Sequence, residues 1–134
     1  MSTGKSNLDI VRAHYDASTK GDTTAMMADV APDVRWTEMA GFPCAGTWVG
    51  PQAVLDNVFA VLGRDWKDYR FEPETLLDAG DHIIGVGVYQ GEYRATKKSM
   101  RARVTHIWTF NDGKVVAFEQ FTDTLLVHQA MISS

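Results

Sequence analysis

The chain has 134 residues, of which 45% are hydrophobic and 22% are charged, and its formal net charge at pH 7 is −4. A chain of this length is expected to form one domain, over residues 1–134, with a substantial hydrophobic core. The acidic balance gives none of the electrostatic attraction on which nucleic acid binding depends.

The first residues, MSTGKSNLD, lack the apolar run of a signal peptide. No later stretch approaches the ~20 apolar residues that a membrane span needs, so we expect a cytoplasmic protein with no membrane partner. Cys44 is the only cysteine, which leaves no internal disulfide and no thiolate metal cluster. We expect Cys44 to be a loop residue without a redox role.

Two helices are predicted before the first strand. Ser6 and Asp9 have the spacing of a capping box, and the residues after them repeat at helical intervals until Gly21. Asp22 can cap a second, short helix, which Pro32 is expected to end. The repeating residues of the first helix are Leu8, Val11, Tyr15 and Ser18.

A short strand is predicted in the sequence VRWTEM. Its alternation places Val34, Trp36 and Glu38 on one face, so a carboxylate shares an apolar face. A loop, AGFPCAGTW, is expected to follow. A third helix then begins at Pro51. The apolar stripe of this helix consists of Val54, Leu55, Val58, Phe59 and Leu62.

From Tyr69 onward the sequence predicts four long strands in an antiparallel meander. The segments are YRFEPETLLDAG, HIIGVGVYQGEYRA, SMRARVTHIWTF and KVVAFEQFTDTLLV. Asp112 and Gly113 suit a two-residue hairpin turn, so residues whose numbers sum to 225 should face each other. Trp108 would then lie opposite Ala117, unless a bulge intervenes.

Helices followed by a curved antiparallel sheet predict an α+β fold. In this fold the sheet wraps around three N-terminal helices and leaves a pocket at its open end. Aromatic side chains, together with His14, are expected to line this pocket as substrate-binding residues. The aromatic candidates are Tyr15, Trp36, Trp48, Phe59, Trp66, Tyr89, Trp108 and Phe121.

Glu38, His106 and Asp123 are the catalytic candidates, expected to point into this one pocket. His106 shares the face of Trp108, and the hairpin register places Asp123 on that face unless a bulge reverses it. An apolar pocket favours the neutral form of a carboxyl group, so its pKa moves toward that of a base useful near neutral pH. The alternatives are a solvent-facing Glu38, a hydrogen-bonded structural His106 and an Asp123 that binds a backbone amide.

No metal, nucleotide or phosphate motif occurs in the sequence, so we expect no cofactor and no metal. The segments GFPCAGTWVGPQAV and HIWTFNDGKVVAFEQFTD resemble those of the SnoaL-like polyketide cyclases. These proteins belong to the wider superfamily of ketosteroid isomerase and nuclear transport factor 2-like folds. The resemblance covers nearly the whole chain and implies a cone-shaped, cystatin-like fold with an internal pocket.

The resemblance also implies roles for single residues. Glu38 is similar in position to the catalytic carboxylate of ketosteroid isomerase, and His106 stands where that enzyme has a neutral carboxylic acid. The tyrosine of its oxyanion hole falls near His14 and Tyr15. Asp123 resembles the acid or base of SnoaL-type cyclases and of limonene epoxide hydrolase. The Arg-x-Asp pair of that hydrolase has no clear counterpart in GVGVYQGEY, which makes epoxide opening less favoured.

Two functions follow as hypotheses. The first is a cofactor-free acid–base enzyme of the isomerase, cyclase or dehydratase type that acts on an apolar carbonyl compound. Glu38 or Asp123 would be its base. The second is a module that binds a small hydrophobic molecule, or dimerises, without catalysis. In either case the family resemblance and the helix-free outer face of the sheet predict a homodimer.

Overall fold

The first helix, α1 (Asn7–Thr19), begins with the predicted capping box in the computed structural model, which describes residues 5–133. Ser6 Oγ accepts a hydrogen bond from the Asp9 amide at 3.1 Å, and Asp9 Oδ2 accepts one from the Ser6 amide at 3.4 Å. The first four residues, which carry part of the signal-peptide prediction, lie outside the described residues. Among those described, no helix has both the length and the apolarity that crossing a membrane requires.

The second helix, α2 (Thr23–Met26), is capped by Asp22 as predicted, since the Ala25 amide donates to Asp22 Oδ1 at 3.0 Å. The prediction that Pro32 ends this helix is wrong, because Pro32 lies inside strand β1 (Val30–Glu38). The pairing of β1 with its neighbour β6 is irregular between Val30 and Arg35. Proline is tolerated at such a site because its missing N–H interrupts no regular ladder.

The segment predicted as a loop after β1 contains a second strand, β2 (Gly46–Val49), which pairs antiparallel with β1. Cys44 lies in the turn before it and is buried. The third helix is continuous over 51–65 but changes type along its length. It consists of α3 (Pro51–Val54), a π-helical segment (Leu55–Phe59) and α4 (Ala60–Asp65). Of the predicted stripe, Val54, Val58 and Leu62 are buried, and Leu55 and Phe59 are half-buried.

The predicted meander is confirmed in the strands β3 (Trp66–Ala79), β4 (His82–Tyr93), β5 (Lys98–Asn111) and β6 (Lys114–Thr122). The six-stranded sheet has the order β2-β1-β6-β5-β4-β3. Its neighbours are antiparallel except for β1 and β6, which run parallel. The α+β prediction is confirmed.

The register of the β5–β6 hairpin changes after the second residue pair from its turn. Phe110 faces Val115 as predicted, but Trp108 faces Phe118 and not Ala117. One extra residue in β6 therefore forms a bulge, and every later pair is offset by one. Because side chains alternate along a strand, this offset exchanges the two faces of the rest of β6.

A fifth helix, α5 (Thr124–Met131), follows β6, so the prediction that this strand continues to Val127 is wrong. Asp123 ends the strand and caps the helix, since its Oδ1 accepts a hydrogen bond from the Leu126 amide at 3.2 Å. The helix buries Val127 and Ala130 against the rest of the chain. The leucines and valine of TLLV suit strand and helix alike, and the aspartate cap decides between them.

Candidate active site

A cavity of about 340 Å³ lies between the N-terminal helices, the helix over 51–65 and the inner face of the sheet. Aromatic side chains form most of its apolar wall. Polar and charged residues lie among its more exposed lining, including Asp68, Arg70 and Arg94. The aromatic wall consists of Tyr15, Trp36, Phe59, Trp66, Tyr69, Phe71, Tyr89 and Phe118.

Glu38 is a buried carboxyl group on the lining of this cavity, with only 3% of its surface exposed. It reaches the cavity because strand β1 alternates regularly from Val34 onward. Trp36 Nε1 donates to Glu38 Oε2 at 3.1 Å, and Gln120 Nε2 donates to Glu38 Oε1 at 3.1 Å. Burial raises the pKa of Glu38 from 4.5 to about 8, although both hydrogen bonds oppose the change.

Gln120 is a functional residue that the sequence analysis did not identify. Its side chain is completely buried and makes three hydrogen bonds. Its Oε1 accepts from the Met39 amide at 3.1 Å, and its Nε2 donates to Glu38 and, at 2.8 Å, to Tyr89 Oη. The available signal was a glutamine in a strand of apolar residues, but only the bulge turns it inward.

His106 is buried on the cavity lining with a tyrosine hydroxyl on each ring nitrogen. Tyr15 Oη lies 2.9 Å from Nδ1, and Tyr89 Oη lies 2.6 Å from Nε2. Burial lowers the pKa of His106 to about 3, so the imidazole is neutral at physiological pH. Gly85 faces His106 on β4, and a side chain there would collide with the Tyr15 hydroxyl. The small residue is therefore needed for this contact.

His14 and Trp108 pack next to this arrangement, with their ring centroids 4.5 Å apart. His14 Nδ1 donates to the Met26 carbonyl at 3.0 Å, and burial lowers the pKa of His14 to about 4. Trp108 Nε1 donates to Tyr15 Oη at 2.9 Å. His14 lines the cavity, whereas Trp108 is buried behind its wall and does not line it. Trp108 was predicted to be part of the pocket wall, and the structure has it directly behind that wall.

Tyr69 lines the cavity, and the sequence analysis did not identify it as a site residue. Its hydroxyl is buried and has no hydrogen-bond partner among residues 5–133. Burial raises the pKa of Tyr69 well above its usual value, so the hydroxyl keeps its proton. Tyr69 directly follows Asp68, whose φ of 56° marks an irregularity in β3. Such an irregularity is hard to recognise in a sequence.

Asp123 does not share the cavity with Glu38 and His106, and this part of the prediction is corrected. It is exposed, caps α5 and is absent from the cavity lining. The bulge in β6 is the physical reason, because it turns Gln120 inward and Phe121 outward. Phe121 is 42% exposed, so its predicted place in the pocket wall is also wrong. Trp48 does not line the cavity either, and its Nε1 donates to the Cys44 carbonyl.

The six other predicted pocket residues that contact the cavity are His14, Tyr15, Trp36, Phe59, Trp66 and Tyr89. Together with Glu38 and His106 they form one continuous polar and aromatic site. Within the described part of the chain, no group of three or more histidine, cysteine, aspartate or glutamate residues is placed to hold a metal ion.

Comparison with known proteins gave one family and several similar structures. Residues 11–118 match the model of the SnoaL-like domain. An NTF2-like protein from Burkholderia thailandensis is 54% identical, with a TM-score of 0.95 over 97% of this chain and 100% of that chain. Comparison with curated proteins gave no match.

Two more distant structures have the same fold. TerC, co-crystallised with polyporic acid, is 22% identical, with a TM-score of 0.84 over 95% of this chain and 98% of that chain. A protein from Catenulispora acidiphila with a ketosteroid isomerase-like fold, in complex with trimethylamine, is 16% identical. Its TM-score is 0.79, over 96% of both chains.

Proposed function

Because the chain belongs to the SnoaL-like domain family, we propose that it transfers protons on an apolar carbonyl compound bound in the cavity, without a cofactor. The resemblance to the SnoaL-like family is confirmed by this match, which covers residues 11–118. The reaction is of the isomerase, cyclase or dehydratase type, in which a proton next to a carbonyl group is removed and then delivered elsewhere.

The observation that carries this proposal is the environment of Glu38. Its two hydrogen-bond donors, Trp36 and Gln120, are both uncharged, and no cation lies within ion-pair distance of it among the described residues. With a pKa of about 8, roughly a tenth of Glu38 is ionised at pH 7. That fraction is a stronger base than an exposed carboxylate, and its pKa lies close to the working pH.

In the proposed reaction the ionised Glu38 takes a proton from the carbon next to the substrate carbonyl. The C–H bond breaks, an O–H bond forms on Glu38, and the electron pair moves to the carbonyl oxygen as an enolate. The protonated Glu38 then returns the proton to a second carbon or to a leaving group. His106 takes part as a hydrogen-bonding group, because its low pKa leaves it neutral throughout.

The second candidate is a small-molecule binding protein without turnover. Its support is that the pKa of Glu38 lies near neutrality, whereas burial lowers the pKa values of the lining histidines His14 and His106 to about 4 and 3. A reaction that needs a separate general acid therefore has no obvious donor. The co-crystallisation of TerC with polyporic acid agrees with a small organic ligand in either case.

The test is deuterium exchange from D₂O into a panel of apolar aryl and alicyclic ketones, followed by NMR. We expect the wild-type protein to accelerate exchange next to the carbonyl of at least one compound. Glu38→Gln should slow this exchange roughly 10²–10⁴-fold. The matched control is Glu119→Gln, because Glu119 is exposed on the other face of the β6 strand. Equal rates in wild type and Glu38→Gln would refute the mechanism, and binding without exchange would favour the second candidate.

A further inference from the structure

Two tyrosine hydroxyls meet at the cavity, one from β3 and one from β4. The rings of Tyr69 and Tyr89 lie 5.3 Å apart, and both residues line the cavity. The Tyr69 hydroxyl is buried without a partner in the described part of the chain. A buried unsatisfied hydroxyl costs about 1–3 kcal/mol, so a ligand oxygen that accepts its proton would recover this energy.

A series of hydrogen bonds runs from Trp108 through Tyr15 and His106 to Tyr89. The donor of each bond can be assigned by starting at Trp108. The indole Nε1 of Trp108 is only a donor, so Tyr15 Oη accepts from it. The second hydrogen bond of Tyr15 Oη within residues 5–133 is to His106 Nδ1. Tyr15 satisfies its own proton by donating it to that nitrogen. A neutral His106 that accepts at Nδ1 carries its hydrogen on Nε2 and donates it to Tyr89.

Tyr89 Oη then accepts two hydrogen bonds, one from His106 and one from Gln120 Nε2. Neither partner can accept the proton of Tyr89, which is left for the neighbouring Tyr69 hydroxyl or for a group in the cavity. Because hydrogen bonds in a chain polarise one another, a hydroxyl that accepts two of them is a stronger donor. Apart from each other, Tyr69 and Tyr89 thus have no acceptor for their two O–H protons among residues 5–133, and a ligand oxygen between them can accept both.

This pair of donors lies close to the proposed base. Gln120 Nε2 bonds both Glu38 Oε1 and Tyr89 Oη, at 3.1 and 2.8 Å, so those two oxygens are less than about 6 Å apart. A carbonyl group and its neighbouring carbon span that gap when the oxygen meets the hydroxyls and the carbon meets the carboxylate. The donors are therefore placed where charge develops when the carbon loses its proton.

We propose that Tyr69 and Tyr89 together bind the carbonyl oxygen of the substrate and stabilise the enolate formed on it, an inference that rests on the proposed function above. The ligand class is a neutral, apolar molecule with a ketone-type oxygen. Tyr69 and Tyr89 are the residues that touch it. Tyr15, His106 and Trp108 are positioning residues, which fix the direction in which the Tyr89 proton points.

The binding test uses 2-acetylnaphthalene labelled with ¹³C at its carbonyl, whose stretching band in the infrared moves to lower frequency as hydrogen bonds to the oxygen strengthen. We expect the bound band to lie below that of the ketone in an alkane solvent. Tyr69→Phe and Tyr89→Phe should each move the band back up and weaken binding roughly 2–10-fold. The control is Tyr93→Phe, because Tyr93 lies on β4 but does not line the cavity.

Tyr69→Phe keeps the test decisive if Tyr89→Phe does not fold. The Tyr69 hydroxyl makes no hydrogen bond in the described structure, so its removal should not lower stability. A bound ketone whose band and affinity are the same in wild type and Tyr69→Phe would overturn the two-donor site. Failure of the wild type to bind the ketone or to shift its band would overturn it as well.

The donor and acceptor assignment of the hydrogen bonds from Trp108 through Tyr15 and His106 to Tyr89 is tested by ¹⁵N NMR of the histidine rings. His14 is an internal reference, because its donation to the Met26 carbonyl requires the hydrogen on Nδ1. His106 should carry its hydrogen on Nε2, which gives the opposite pattern of ring-nitrogen shifts. A hydrogen on Nδ1 of His106 would mean that Tyr89 donates to the histidine and not to a ligand, and would overturn this part.

The two proposals fail separately. Loss of the band shift in the tyrosine variants, with exchange unaffected by Glu38→Gln, keeps the carbonyl site and removes the acid–base mechanism. An unchanged band in the tyrosine variants, with exchange abolished by Glu38→Gln, keeps the base and removes the two-donor site.

Discussion

Replacing Glu38 by glutamine should remove a measurable part of the pH dependence of folding stability. In the folded chain burial raises the pKa of Glu38 to about 8, whereas its usual value is 4.5. Folding therefore favours the protonated form, and its stabilising contribution is fully present below pH 4.5. That contribution is lost as the pH rises through about 8. The glutamine variant has no proton to lose in this range.

The size of the effect follows from the interval between the two pKa values. At pH 6.5 the unfolded chain already has Glu38 ionised, while the folded chain still holds its proton. Each pH unit of that difference corresponds to about 1.4 kcal/mol, so the stability difference between wild type and Glu38→Gln should change by about 2 kcal/mol between pH 6.5 and 8.5. His14 and His106 act in the opposite direction, because folding lowers their pKa values from 6.5, but both proteins contain them and their contribution cancels in the comparison.

The assay is urea unfolding at pH 6.5, 7.0, 7.5, 8.0 and 8.5, followed by tryptophan fluorescence. The readout is the slope of unfolding free energy against pH. A loss of stability that is the same at every pH does not change this slope. Glu119→Gln is again the control, because its side chain is exposed in the same hairpin. Parallel slopes for wild type and Glu38→Gln would refute the claim that Glu38 is a buried, weakly acidic carboxyl group.

Four further outcomes are expected. Gly85→Ala should lower unfolding free energy in urea by about 1–3 kcal/mol, because the added methyl group collides with the Tyr15 hydroxyl; an unchanged value would contradict that packing. Asp123→Ala should lower the unfolding free energy by about 1 kcal/mol because the helix cap is lost, and Asp123→Asn should lower it much less. A tenfold slower ketone exchange in Asp123→Asn would show that Asp123 takes part in the reaction. Light scattering after gel filtration should show a homodimer formed through the outer face of the sheet, and Phe121→Lys on that face should weaken it; a wild-type monomer at micromolar concentration would oppose it. Elemental analysis and an absorbance spectrum of the purified protein should show no stoichiometric metal and no coloured cofactor, and stoichiometric zinc would contradict this.

The inward position of Glu38 was predictable because side chains alternate regularly between the two faces of β1 from Val34 to Glu38. Val34, Trp36 and Glu38 are all buried, as a period of two requires. The inward direction of His106 followed in the same way from its spacing to Trp108. Local periodicity therefore identified two buried titratable groups of the cavity lining, Glu38 and His106.

Local periodicity failed where a single residue changes the phase of a strand. The bulge after Val115 is set by the curvature of the sheet and not by a distinctive residue, so nothing in VVAFEQF announces it. Gln120 was consequently overlooked, while Phe121 and Asp123 were placed on the wrong face. The same limit applies to Tyr69, which follows an irregular residue in β3.

Near neutral pH the buried part of the cavity lining carries almost no formal charge, since Glu38 is mostly protonated and both histidines are neutral, while the charged residues Asp68, Arg70 and Arg94 belong to its exposed part. We therefore expect ligand binding at this site to depend strongly on the free energy needed to remove the ligand's hydration water. A carboxylate or ammonium ion would find no counter-ion in this buried part, so removing its hydration water there would cost free energy that a neutral molecule does not have to supply. We therefore expect the buried part of the cavity to favour neutral ligands over charged ones, whatever their shape.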